Sequence, residues 1–501
     1  MPEPGAEGAD DAAASPADTR GLFMRVFPSV VLPMFMAAVD QTIVATALPA
    51  IAATLGDVQR ISWVVVSYLV ATTIAAPVYG RLGDALGRKR LLFVALALFV
   101  AASLACAFAP SILWLSVGRV LQGFGGGGLM TLSQALVGEA VPPRERARYQ
   151  GYLATVFMAS STFGPVAGGW LTGQFGWRSV FLVSLPLGLL AAVMARRLPD
   201  RAPVEAAPRF DTLGMILFAG FVTPLILALE QAQRLSPAAL PGALAGLALS
   251  GVSLWLLLAQ ERRAATPLIP VGLLRRAAIW RADAMGACVG ATIVSGVTFI
   301  PIYLQVVRGA APGQVGLLLL PLTVGLAMGS LLTGRMIART GRTAVFPSVG
   351  LVVVTASLLF LALAAPRLPV AWLPAAFAVL SLSLGTTMPV VQVTVQMVAG
   401  PANLGAASAS VQFSRSIGAA LGTALVGAVL FASLTLHDPA AAGVFAAIVE
   451  RGPDAMEALA PDRRPAVTGL IADAFRAAFL AIACFSATGA VLAWSLPVRR
   501  L

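Results

Sequence analysis

Residues 80–90 read GRLGDALGRKR and lie between two long apolar stretches. The three glycines of this segment allow close backbone approach, and its single acid can pair with a basic side chain or face a helix N-terminus. The basic cluster that ends it, residues 88–90, is typical of a loop held at the cytoplasmic surface of a bilayer. The segment is therefore predicted to be a short charged turn that joins two membrane helices.

The composition is that of an integral membrane protein. Hydrophobic residues make up 58% of the 501 residues and charged residues 11%, whereas a soluble domain carries about 25% charged residues. The apolar segments are long and continuous, which favours helices, because barrel strands would alternate in hydropathy. We predict an all-α integral membrane protein.

Fourteen apolar segments are long enough to cross a bilayer core of about 30 Å, which takes about 20 helical residues. The predicted helices lie near 27–49, 61–80, 91–109, 111–138, 150–172, 179–196, 211–230, 241–259, 282–305, 313–334, 344–364, 371–391, 408–431 and 475–496. The predicted organisation is a disordered cytoplasmic tail at 1–26, a six-helix bundle at 27–196, a cytoplasmic linker with two inserted helices at 197–260, a cytoplasmic loop at 261–281, and a second six-helix bundle at 282–501 with a long external loop at 432–474. This loop is expected to be solvated chain, with a partly helical external cap as the alternative.

Residues 334–342, GRMIARTGR, repeat the 80–90 turn in degraded form. The repeat follows the tenth segment as the original follows the second, which indicates a duplicated six-helix unit.

Basic residues concentrate in alternate loops, beginning with the N-terminal tail, so both termini are predicted to be cytoplasmic. The net charge of +12 belongs to these loops and does not indicate nucleic-acid binding.

The 80–90 turn and four further stretches resemble the major facilitator superfamily of secondary transporters. These stretches are DQTIVATALP at 40–49, RVLQGFGG at 119–126, GPVAGG at 164–169 and WRSVFLVSLPLG at 177–188. The resemblance implies two pseudo-symmetric six-helix bundles, and fourteen helices with a central inserted pair are similar to its drug:proton antiporter branch. Ser179 and Ser184 depart from that branch, which usually has Trp and Asn at these two places.

Two charges within predicted membrane helices are the candidate proton-coupling residues. Asp40 lies roughly 20 Å along its helix from Phe27, at a depth where a carboxylate is costly and functional by default. The resemblance implies that Arg119 takes part in proton movement, and a guanidinium at that depth needs an acid nearby. Asp40 is the expected partner; the alternative for either residue is a purely structural role.

The resemblance also implies gating residues in the 80–90 turn and the fifth helix: Gly80, Gly83, Asp84, Gly87, Arg88, Gly164, Pro165, Gly168 and Gly169. Polar and aromatic helix residues are candidates for binding cargo, with helix packing as the alternative. They are Thr42, Gln122, Phe299, Tyr303, Gln305, Gln392 and Gln412. Glu230 and Asp283 are predicted to lie at helix ends, near the membrane interface, with a role in proton coupling as the alternative.

The function that the resemblance implies is proton-coupled export, by alternating access, of amphiphilic or lipophilic drugs or antibiotics that are monocationic or neutral. The alternatives are export of an endogenous metabolite, such as a siderophore, self-made antibiotic or lipid, and a membrane receptor that does not transport. The expected partners are the cargo, protons and membrane lipids, for a monomer in a bacterial cytoplasmic membrane, with no nucleic acid.

An enzyme is not expected, because the chain has one His and neither HExxH nor GxSxG. No cofactor other than the proton motive force is expected, since the nucleotide-binding pattern GxxxxGK[ST] is absent. The three cysteines are far apart in the sequence and predict neither a metal site nor a disulfide.

Overall fold

A computed structural model describes residues 16–56, 60–199, 211–233, 239–264, 267–268, 271–365, 367–451 and 463–500. Within these ranges the protein consists of α-helices that are joined by short turns. The helices of the first half are α1 Pro16–Leu55, α2 Trp63–Leu86, α3 Arg88–Ala107, α4 Ile112–Ala140, α5 Pro143–Phe175, α6 Ser179–Leu182, α7 Ser184–Ala195, α8 Thr212–Gln233 and α9 Leu240–Glu261.

The second half continues in the same way. Its helices are α10 Val271–Leu274, α11 Ala277–Val306, α12 Pro312–Thr340, α13 Val345–Ala364, α14 Leu373–Gly385, α15 Thr387–Ala399, α16 Leu404–His437, α17 Pro439–Arg451 and α18 Arg464–Trp494. Every predicted membrane segment falls on a helix or on a consecutive helix pair. The sixth predicted segment is divided at Val183, and the twelfth at Thr386.

Among the described residues, eleven helices are long and apolar enough to cross a membrane. Of the predicted segments, those on α4, α5 and α6–α7 are not in this set, and the Ser179–Ala195 run is shorter than the others. Polar and glycine residues lower the hydropathy of α4 and α5, and many of those on α4 are buried against other helices. The chain is thus a multi-pass, all-α membrane protein.

Helix packing divides the described residues into two bundles and an inserted pair. In the first bundle α4 packs on α2 and α3, and α5 packs on α1; in the second, α11 packs on α16, and α12 packs on α14. The bundles meet where α2 contacts α16 and where α5 contacts α12. The inserted helices α8 and α9 pack chiefly on each other, and α8 also touches α2 and α16.

Two of the predicted regions, the N-terminal tail and the 432–474 loop, differ from the structure. Helix α1 begins at Pro16, so the last part of the predicted 1–26 tail is helical, while residues 1–15 lie outside the described residues. The loop predicted at 432–474 is largely helical, because α16 extends to His437, α17 follows, and α18 begins at Arg464. Phe445 of α17 is buried against Phe475, so the expectation of solvated chain is wrong for this helix.

Candidate functional site

Asp40 and Arg119 form a buried ion pair between α1 and α4. Arg119 Nη1 lies 2.5 Å from Asp40 Oδ2, and the two residues are only 2% and 1% exposed. Arg119 Nε donates to the carbonyl of Val64 at 3.1 Å, and the guanidinium lies 4.0 Å from the centre of the Tyr68 ring. The structure thus brings together the two residues that the sequence predicts as partners.

Gln122 completes this ion-pair site. One helical turn separates it from Arg119, so both side chains lie on the same face of α4. Its Nε2 donates to Asp40 Oδ1 at 2.8 Å and to Ser103 Oγ at 2.7 Å, while its Oε1 accepts from Arg119 Nη1 at 2.7 Å. Both carboxylate oxygens of Asp40 are therefore bound, and Gln122, a predicted cargo residue, holds the ion pair in place.

Tyr68 and Ser103 are functional candidates that sequence reasoning missed. Tyr68 is 2% exposed and donates to the carbonyl of Ala37 at 3.2 Å, which fixes its ring beneath the Arg119 guanidinium. Ser103 is fully buried on α3. Neither residue has a local sequence signal, because each joins the site through a contact between helices.

The 80–90 turn ties the two bundles together. Arg88 lies 2.5 Å from both Asp84 Oδ1 and Glu139 Oε2, which joins the end of α2 to the end of α4. Asp84 also accepts from the backbone N–H groups of Gly405 at 2.8 Å and Ala406 at 3.0 Å. These N–H groups belong to the first turn of α16, where a helix dipole favours negative charge. We call Asp84, Arg88, Glu139 and the first turn of α16 the bundle latch.

Glycines make the bundle latch possible. A Cβ at Gly80 would lie 2.6 Å from the carbonyl oxygen of Gly405, so α2 and α16 touch backbone to backbone at this position. Gly87 has φ +98°, which lets the chain turn between α2 and α3. Gly83 packs on Leu132, because a Cβ there would lie 2.6 Å from that side chain. The predicted gating residues of this turn therefore all sit at the latch or its hinge.

In the fifth helix, the predicted gating residues divide between two faces. Gly164 and Gly168 are buried against α1, next to Thr42 and Ile43. Pro165 and Gly169 are exposed on the other face. Thr42 donates to the carbonyls of Val39 at 3.0 Å and Ser160 at 3.4 Å. The structure therefore places Thr42, a predicted cargo residue, at the contact between α1 and α5.

A cavity of about 370 Å³ lies between the bundles and the inserted helix α8. Gln41, Phe157, Met388, Gln412 and Arg415 line it, together with Glu230 near the end of α8. Arg415 donates to Gln412 Oε1 at 2.5 Å and stands 5.3 Å from the centre of the Phe157 ring. Among the described residues, no carboxylate pairs with Arg415. The cavity wall is thus mainly apolar, with amides, one guanidinium and the Glu230 carboxylate.

Only two of the predicted cargo residues line this region. Gln412 lines the 370 Å³ cavity, and Gln392 lines a second cavity, of about 50 Å³, that shares Gln412 and Arg415 with it. Phe299 and Tyr303 are buried within the second bundle, where the Tyr303 ring packs on Phe475 and Phe479. Gln305, which is half-buried, lines neither cavity.

Asp283 and Glu230 also differ from their predicted setting. Helix α11 begins at Ala277, before the predicted start at 282, so Asp283 lies inside the helix. It is 6% exposed and lines a third cavity. Glu230 lies close to the end of α8, as predicted, but lines the 370 Å³ cavity.

The sequence model of the Major Facilitator Superfamily matches residues 30–423, which include both bundle contacts and the ion-pair site. The chain belongs to this superfamily. Membership identifies a membrane transporter rather than an enzyme, and the superfamily resemblance seen in the sequence is confirmed.

Two curated relatives of this major facilitator chain are bacterial. An uncharacterized MFS-type transporter of Mycobacterium tuberculosis is 35% identical over 407 residues, covering 80% of this chain and 59% of the relative. The chain therefore spans only part of the length of that relative. The multidrug transporter protein MdtP of Bacillus subtilis is 29% identical, covering 80% of this chain and 74% of its own length.

Among solved structures, the human organic anion transporter MFSD10 has the same fold. It superimposes with a TM-score of 0.63 at 15% identity, covering 94% of this chain and 99% of that protein. At this identity the likeness concerns the fold alone. Because the superposition covers 94% of this chain, nearly the whole chain has the major facilitator fold.

Replacing Gly168 by Ala is expected to destabilise this transporter, because the added Cβ would lie 2.5 Å from the Ile43 carbonyl oxygen. Overpacking of this kind costs about 1–3 kcal/mol. Gly169→Ala is the matched control, since no atom lies within 4 Å of a Cβ there. Thermal denaturation in detergent should show a lower midpoint for Gly168→Ala only; equal midpoints for the two variants would contradict the α1–α5 contact.

Proposed function

We propose that the chain is a proton-coupled antiporter that exports amphiphilic small molecules, including drugs or antibiotics, from a bacterial cytoplasm. The Asp40–Arg119 pair is the observation that carries this proposal. A carboxylate buried in a membrane bundle is costly and marks proton or ion pathways. Asp40 is the only acid of the described first bundle that forms an ion pair away from the latch.

The pair offers a way for one proton to change helix packing. In the observed arrangement the Asp40 carboxylate holds α1 to α4 through Arg119 and Gln122. Proton uptake would remove the charge of Asp40 and weaken its bond to Arg119. Arg119 would keep its hydrogen bond to the Val64 carbonyl and its cation–π contact with the Tyr68 ring. Loss of the proton would restore the ion pair. Asp40 would thus link the protonation state to the position of α1.

Alternating access of two pseudo-symmetric bundles is the transport mechanism that we propose. The contacts α2–α16 and α5–α12 support it, because each joins the second helix of one predicted repeat to the fifth helix of the other. We propose fourteen membrane crossings with both termini in the cytoplasm, so that the basic 80–90 turn and the bundle latch lie on the cytoplasmic side. The observed conformation is then closed to the cytoplasm.

Cargo would occupy the space between the bundles. A volume of about 370 Å³ is within the range of small-molecule sites, and its mainly apolar wall suits the apolar body of a neutral or monocationic amphiphile. The multidrug transporter name of the Bacillus subtilis relative supports this cargo class. Protons, with no other cofactor, would supply the energy: each 100 mV is worth about 2.3 kcal/mol per charge. We propose a monomer surrounded by lipid.

Purified protein in liposomes tests this function. An acidic interior is expected to drive ethidium into liposomes that contain inside-out protein, and nigericin, which collapses the pH gradient, should stop the accumulation. A pH-sensitive dye inside the liposomes should report proton release when ethidium is added. Uptake that ignores the gradient would contradict proton coupling, and binding without flux would favour a receptor. Protein-free liposomes control for leakage.

A further inference from the structure

Asp283 is a buried acid outside the ion-pair site and the bundle latch. It is 6% exposed on α11, and its Oδ1 accepts one long hydrogen bond, from Ser410 Oγ at 3.5 Å. Its Oδ2 has no hydrogen-bond partner among the described residues. No basic side chain in the described ranges forms an ion pair with it. The acid is therefore poorly satisfied by the protein itself.

The basic residues closest to Asp283 along α11 are engaged elsewhere. Arg276 donates to the carbonyl of Val398 at 2.7 Å, and Arg281 donates to the carbonyl of Ser495. An ionised carboxylate without a partner in apolar surroundings costs several kcal/mol. Such groups are neutralised by a proton or by a positively charged partner.

Asp283 lines a cavity of about 280 Å³. The other walls are mainly apolar and aromatic, with Phe218 of the inserted helix α8, Phe413 of α16 and Trp280 of α11. The Phe218 and Phe413 rings are 5.2 Å apart, centre to centre. Among the described residues that line this cavity, Asp283 is the only ionisable one. We call this cavity the Asp283 pocket.

We propose that the Asp283 pocket binds an amphiphilic monovalent cation, whose charge pairs with Asp283 and whose apolar body packs on the aromatic wall. This assignment rests on the proposed export of amphiphiles and names their charge. A single acid matches a single positive charge, and aromatic faces attract cations further. Binding of the cation would neutralise the buried Asp283 carboxylate, and it would also remove apolar surface of the ligand from water.

The 370 Å³ cavity between the bundles is less suited to binding the positive charge of the cargo. Arg415 lines it and would repel a cation, while Glu230 of that cavity already has an interaction partner. The charge of the cargo is therefore recognised in the Asp283 pocket. Release from the larger cavity would be assisted by Arg415.

The Asp283 pocket also adjoins the bundle latch. Pro77 of α2 and Ala406 of α16 both line it, and the N–H of Ala406 is one of the two that Asp84 binds. The pocket thus has walls from the first bundle, the inserted pair and the second bundle. A ligand bound there would respond to opening of the latch, as a cargo entry site on the cytoplasmic side must.

Binding of radiolabelled tetraphenylphosphonium to the purified full-length chain tests the assignment. Asp283→Asn is expected to weaken binding at least tenfold, whereas Asp283→Glu, which keeps the charge, should stay within threefold of wild type. Triphenylphosphine oxide, a neutral probe of similar shape, should compete equally well in wild type and Asp283→Asn. Unchanged phosphonium binding in Asp283→Asn would overturn the proposal, as would an equal loss for both probes.

Photolabelling of the wild type provides a second measurement that does not depend on how a variant folds. An azido derivative of the phosphonium should label peptides that contain Trp280 or Phe218, and labelling confined to Met388 or Phe157 of the larger cavity would overturn the proposal.

Measuring proton-driven phosphonium flux distinguishes a failure of this inference from a failure of the proposed function. Proton-driven phosphonium flux that persists unchanged in Asp283→Asn refutes the pocket alone, whereas Asp283-dependent binding without flux refutes the antiporter alone.

Discussion

Asp40→Asn is expected to abolish cargo accumulation driven by a proton gradient, while exchange of cargo across the membrane without a gradient continues. Asparagine has the shape of aspartate and keeps an oxygen that can accept from Arg119 Nη1, but it cannot bind and release a proton. With a proton gradient equivalent to 100 mV the wild type can reach roughly fiftyfold accumulation if one proton moves per cargo molecule. The variant should show no accumulation in the same liposomes.

Two further variants sharpen this test. Asp40→Glu keeps a titratable acid and is expected to retain part of the gradient-driven accumulation. Asp473→Asn removes an acid that is exposed on α18, and it should behave as wild type. Both exchange and accumulation are measured with ethidium after size-exclusion chromatography confirms a folded protein. Gradient-driven accumulation in Asp40→Asn would show that the coupling proton binds elsewhere.

The ion pair could be predicted from the sequence because charges are rare in the membrane segments. Asp40 and Arg119 are deep in apolar segments, and a buried charge requires a partner, so few pairings were available. The 80–90 turn was informative for a similar reason: its glycines and charges predicted a tight turn that binds another element. Its partner, the first turn of α16, could not be predicted, because Gly405 and Ala406 contribute only backbone N–H groups.

The cargo residues could not be predicted with the same success. Whether Tyr303 or Gln412 reaches the space between the bundles depends on how each helix is rotated about its axis. In these helices both faces are apolar, since one faces lipid and the other faces protein, so hydropathy gives little information about rotation. In the structure the Tyr303 side chain packs inside its own bundle, whereas Gln412 lines the cavity between the bundles. Asp283 was misplaced because α11 starts before the predicted segment.

Asp84→Ala is expected to shift the transporter toward a conformation that is open at the latch. Asp84 accepts two backbone N–H bonds from the start of α16 and pairs with Arg88. Hydrogen bonds to a charged group contribute about 1.5–3 kcal/mol each. In the open state, hydrogen bonds from water to Asp84 would recover part of this free energy. A net loss of about 2–4 kcal/mol corresponds to a change of roughly 30- to 1,000-fold in the conformational equilibrium.

Spin labels at residues 90 and 402, which are exposed on opposite sides of the latch, can measure this shift. Cys106, Cys288 and Cys484 are replaced first, since all three are free thiols. Pulsed dipolar spectroscopy should show a longer distance in Asp84→Ala, and a mixture of both distances in Asp84→Asn, which keeps one acceptor oxygen.

Asp211→Ala is the matched control for this measurement. Asp211 accepts from the N–H of Gly214 at 2.8 Å at the start of α8 and from Gln260 Nε2 of α9 at 3.2 Å. It thus accepts a backbone N–H at a helix start, as Asp84 does, but its bonds stay within the inserted pair and do not join the two bundles. Its removal should leave the distance between the labels unchanged. If both variants lengthen the distance equally, general destabilisation explains the result. If neither does, the α2–α16 contact at Gly80 holds the bundles together without Asp84.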